Sequence, residues 1–99
     1  MSATGNWKAN LTSPMGSNEV LFDIVESDGV VTGTAFGEGE LVELVEGVAE
    51  GNNVSWRLNI TKPLKMSFVM KLEIDGDTWS GTAKAKIFPA AKVTGTRVS

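Results

Sequence analysis

The sequence predicts an all-β chain folded as a single eight-stranded antiparallel up-and-down β-barrel. Three observations lead there. Apolar and polar residues alternate with a period of two along most segments, and no stretch shows a helical period. Turn residues recur at regular spacing between those segments. Every connection is short, so consecutive strands become antiparallel neighbours, and with eight of them the first and last can pair and remove both edges. A chain of 99 residues suits one such domain, spanning 1–99.

Gly5 to Ser13 is the first strand, with Trp7, Ala9 and Leu11 on one face and Lys8, Asn10 and Thr12 on the other. Pro14-Met15-Gly16-Ser17 is a turn. Val20 to Glu26 and Val30 to Phe36 form a hairpin about Asp28-Gly29, a dipeptide that supplies the positive φ angles of a tight turn. That turn pairs Glu26 with Val31, Ile24 with Gly33 and Phe22 with Ala35 on the inner face, leaving Asp23, Val25, Thr32 and Thr34 outside. The same pattern has a partial echo later, Asp75-Gly76 followed by Thr78-Trp79-Ser80-Gly81-Thr82-Ala83.

Gly37-Glu38-Gly39 is a loop, and Glu40 to Glu50 is the longest strand candidate. Either Gly51-Asn52 or Gly51-Asn52-Asn53 turns it into Val54 to Ile60, where Val54, Trp56, Leu58 and Ile60 face inward. After a loop at Thr61-Lys62-Pro63-Leu64, Lys65 to Ile74 turns Met66, Phe68, Met70, Leu72 and Ile74 to one side. Asp77 to Ile87 puts Trp79, Gly81, Ala83 and Ala85 on one face, Phe88-Pro89-Ala90 is a loop, and Ala91 to Val98 closes the chain. Closure brings Trp7 and Arg97 to one end of the barrel, where the guanidinium lies over the indole.

Composition excludes several classes of chemistry. There is no Cys, His or Tyr, which removes disulfides, thiol catalysis and most acid/base and metal templates. No metal site and no cofactor is expected. A net charge of −3, with nine basic residues scattered along the chain, argues against nucleic acid. No apolar run is long enough to span a bilayer as a helix, and no membrane is expected as a partner. The first seven residues do not read as a secretory signal, so the expected location is cytoplasmic.

Gly5-x-Trp7 opening the first strand, Thr96-Arg97 near the end of the last, and eight meandering strands resemble the calycin superfamily of lipocalins, fatty-acid-binding proteins and avidins. Gly5-Asn6-Trp7, Gly16-Ser17 and Asp28-Gly29-Val30-Val31-Thr32-Gly33-Thr34 look most like avidin and streptavidin. The resemblance implies a closed barrel with an interior site. It does not carry biotin across, because Ala9 and Ala35 stand where that family's polar clamp stands and the last strand has no aspartate.

Two functional readings follow. An eight-stranded barrel has room for packed side chains or for one small ligand. The small inward residues Ala9, Gly33, Ala35, Gly81, Ala83 and Gly95 leave space beside Trp56, Trp79, Met66, Phe68 and Met70, the expected lining for a small apolar or aromatic molecule. The bland alternative is that those side chains simply fill the core. The second reading is a cofactor-independent isomerase, cyclase or lyase. In it Glu43, with a two-residue turn, or Glu46, with a three-residue turn, faces inward as a general acid or base, and Arg97 steadies an anion. A frayed strand would leave both carboxylates in water. The apolar residues on both sides of Glu40 to Glu50, extended by Val25 and Val69, further predict a homodimer.

Overall fold

The computed structural model describes residues 3–13, 16–37, 39–61, 65–85 and 90–99. Pro14 and Met15 of the first expected turn, Glu38, Lys62-Pro63-Leu64 and the segment 86–89 lie outside the described residues. Gly16 and Ser17, expected in that turn, instead open the second strand by pairing with Ser13 and Thr12. The strands are β1 (Gly5–Ser13), β2 (Gly16–Ser27), β3 (Val30–Gly37), β4 (Glu40–Glu43), β5 (Val45–Glu50), β6 (Asn53–Ile60), β7 (Met66–Asp75), β8 (Thr78–Ala85) and β9 (Ala91–Arg97). Consecutive strands pair antiparallel except β4 and β5, which both lie on β3, and β9 returns to pair with β1. Nine segments therefore make eight staves of a closed barrel.

The first hairpin has the register that its turn dictates. Ile24 pairs Gly33, Phe22 pairs Ala35 and Glu26 pairs Val31. Asp28 and Gly29 carry the two positive φ angles, 52° and 79°. Gly33 and Gly81 occupy matching places in the two echoing stretches. A Cβ at Gly33 would overlap the Asp23 carbonyl oxygen, and one at Gly81 would overlap that of Lys71. Glycine at each lets the neighbouring strand come close where the sheet coils.

The long strand expected over Glu40 to Glu50 is interrupted. It breaks at Leu44, and the β5–β6 register shifts by one between Val45 and Val48. Glu46 sits in that bulge with a φ of 55°, a conformation uncommon for a residue with a side chain. The turn is Gly51-Asn52, joining Glu50 to its partner Asn53. With that turn an unbroken ladder would point Glu43 inward. The extra residue reverses the alternation, so Val42 and Leu44 are partly buried against the core while Glu43, Val45 and Glu46 are exposed.

The two faces separate cleanly. Among the described residues the buried side chains are all apolar. Outside, Leu21, Phe36 and Leu41 form one cross-strand row of exposed apolar side chains, and Val30 pairs Val48 further along. The apolar strip expected on the fourth stave is thus real for Leu41, Val45 and Val48, but Val42 and Leu44 belong to the interior.

Candidate functional site

The barrel's two ends differ. One carries the Asp28-Gly29, Gly51-Asn52 and Gly76-Asp77 turns, and it is sealed. Trp7 pairs Arg97 across the β1–β9 seam, and the guanidinium carbon lies 4.6 Å from the indole centroid. Arg97 also donates hydrogen bonds to the carbonyls of Thr4, at 2.9 Å, and Gly76, at 3.2 Å, and its Nε stands 3.2 Å from Asp77. Below it the Trp7 Nε1–H donates to the Ala3 carbonyl at 2.8 Å, and Ala3 is fully buried. One arginine therefore ties both chain ends and a turn to the same ring. Replacing Arg97 with Met should cost about 2–3 kcal/mol, since a cation–π contact and charged hydrogen bonds go together. Urea unfolding measures it, and Arg97→Lys should restore only part of the loss.

Beneath this seal lies an aromatic core. Trp7 and Trp79 stack at 4.1 Å, 6° from parallel. Phe22 meets Trp79 edge-on at 5.4 Å, and Trp56 tilts against both, at 5.5 Å from Phe22 and 5.7 Å from Trp79. The Trp56 Nε1–H points at Met70 Sδ, 3.2 Å away. The space expected beside the small residues is taken up here: a Cβ at Gly95 would run into the Trp79 indole nitrogen. Three of the five expected lining residues, Trp56, Trp79 and Met70, thus pack on one another, each 2% exposed or less.

The other two, Met66 and Phe68, lie toward the opposite end, and there the interior is only partly buried. Phe68 pairs Leu58 and Met66 pairs Ile60 across β6–β7. Leu11, Val20, Val42 and Leu44 from the facing staves are likewise partly covered. Leu11, Met66 and Phe68 are legible as inward positions and Val42 and Leu44 are not, since the bulge at Glu46 turns them in. Nor does alternation along a strand say which end of a barrel is sealed. The end opposite the seal thus presents partly exposed apolar side chains from several staves.

The candidates for acid/base chemistry are not assembled. Glu43 is on the outer wall opposite Thr34. Glu46, also outside, pairs with Arg57 at 2.8 Å. Arg97 belongs to the seal. Two surface grooves likewise lie on the outer wall, one beside Val45, Arg57, Ser67 and Val69, the other beside Val48, Ser55, Lys71 and Ser80.

The fold itself has a counterpart. A solved structure described as a redesigned beta barrel superposes with a TM-score of 0.68 over 97% of this chain and 91% of that one, at 12% sequence identity. The chain is an eight-stranded antiparallel β-barrel. At that identity the likeness speaks of the fold alone. No protein-family model matches the sequence, and no curated protein matches it.

Proposed function

We propose that the barrel binds a small apolar or aromatic molecule at the end opposite the Trp7–Arg97 seal, in the manner of a reduced calycin. The observation that supports this is the gradient in the interior. Burial is nearly complete at Trp7, Trp79, Trp56 and Met70, and it gives way to partly exposed Val42, Leu44, Met66 and Phe68. Leu58 is the floor of this site, Phe68 and Met66 its wall, and Trp56 the nearest indole below. No charged, amide or hydroxyl side chain is buried among the described residues, so the ligand keeps its charged or strongly polar groups at the rim.

Trp56 makes the reading measurable. A panel of naphthalene derivatives and medium-chain alcohols should quench or shift tryptophan emission saturably. Phe68→Lys should abolish that response by placing an ammonium in the mouth. Val69→Lys, one residue along and facing outward, should leave it unchanged. A response that never saturates, or that survives Phe68→Lys in the folded protein, rules the site out.

A further inference from the structure

The charges of this chain are segregated by stave. Residues 9–56 hold nine of the twelve acidic residues and none of the nine basic ones. The basic residues of the strands therefore gather on β1 and on β6 to β9, as Lys8, Arg57, Lys71, Lys84, Lys92 and Arg97, while the charged residues of β2 to β5 are all acidic. The two echoing stretches bring this to a geometric match. On one wall the cross-strand row is Asp23–Thr34–Glu43, and on the other it is Lys71–Thr82–Lys92. Thr34 and Thr82 are each the fifth residue of an eight-residue strand that starts from the sealed end. Each follows the glycine under which the preceding strand tucks its carbonyl. Strands lie about 4.8 Å apart, so the outer members of both rows are roughly 10 Å apart. All four charged residues are exposed.

We infer that this chain associates with copies of itself head to tail, with β3 of one copy lying along β8 of the next. In that arrangement β2 faces β9 and β4 faces β7. Asp23 then meets Lys92 of the next copy, and Glu43 meets its Lys71. In the adjoining row Leu41, 64% exposed, meets the next copy's Val69, 37% exposed. A two-fold pair through the Leu21–Phe36–Leu41 row would instead bring Asp23 against Glu43, like charge on like charge. In an eight-stave ring β3 and β8 lie on opposite sides, four staves apart, so the contact does not close on itself and copies add in a row. With exposed charges at its centre, it is weak and salt-sensitive.

Sedimentation velocity on the intact chain tests this. In about 0.01 M salt, where the screening length is roughly 30 Å, the weight-average sedimentation coefficient should climb with concentration past the dimer value. In about 1 M salt, where that length is roughly 3 Å, the climb should disappear. Asp23→Asn with Glu43→Gln removes one wall, and Lys71→Gln with Lys92→Gln removes the other. Each double variant alone should sediment as a monomer, with native tryptophan emission confirming the fold. Their equimolar mixture should regain association and stop at two copies, because one intact acidic wall and one intact basic wall remain. A mixture that stays monomeric overturns the inference. So does a wild type that stops at a dimer, as a two-fold pair would, or that stays monomeric in low salt.

Discussion

Replacing Trp79 with Ala should lower the stability of the barrel by about 3–5 kcal/mol, the usual cost of emptying a large aromatic site in a core. The expectation rests on how many partners one ring serves. Trp79 is stacked on Trp7, meets Phe22 edge-on and packs against Trp56, so its removal unsettles the whole aromatic group. It also leaves the indole under the Arg97 guanidinium without its stacking partner. Small domains keep only about 5–15 kcal/mol in reserve, and the melting temperature should fall by on the order of 20 °C. A thermal melt followed by circular dichroism gives the answer. A fall of only a few degrees would mean that the other rings repack, and that the core is less tightly specified than these contacts indicate.

Gly81→Ala should be as damaging through a single methyl group. The added carbon would overlap the Lys71 carbonyl oxygen and lie 2.9 Å from Leu72 Cα, both backbone atoms that no rotamer change can move. The β7–β8 ladder would have to open at the Leu72–Gly81 and Lys71–Thr82 pairs. A loss of more than about 4 kcal/mol, or failure to fold, is expected, as for other severe overpacking of a closed core. Gly39→Ala is the control. Nothing lies within 4 Å of a Cβ there, and only its φ of +74° opposes a side chain. That substitution should cost about 1–2 kcal/mol. Equal losses at the two positions would refute the steric account of Gly81.

These contrasts show which parts of the molecule can be read from residues alone. The β2–β3 register follows from a two-residue Asp-Gly turn and a period of two, both local properties, and it is found pair for pair. Placing Arg97 over Trp7 needed only the number and direction of the strands. The fourth stave resisted because Leu41, Val42, Leu44 and Val45 are apolar on both faces, leaving no alternation to fix its phase. The bulge at Glu46 then decided which of those residues face inward. Whether the interior is full was not legible either. The small residues do mark missing volume, but the rotamers of Trp79 and Trp56 determine which indole takes it. The charge rows lay in plain view in the sequence, yet only the pairing of staves shows that they match.

The seam between β1 and β9 carries a kinetic consequence. It joins residues separated by most of the chain, Trp7 with Arg97 and Thr12 with Lys92. A growing polypeptide that ends before β9 is a curled sheet with two bare rims, each able to recruit strands from a neighbouring nascent chain. Shelter comes only when β9 is delivered to β1, so the rims stay open for as long as β9 lags behind the strands before it, and slow synthesis of the connecting segment lengthens that exposure.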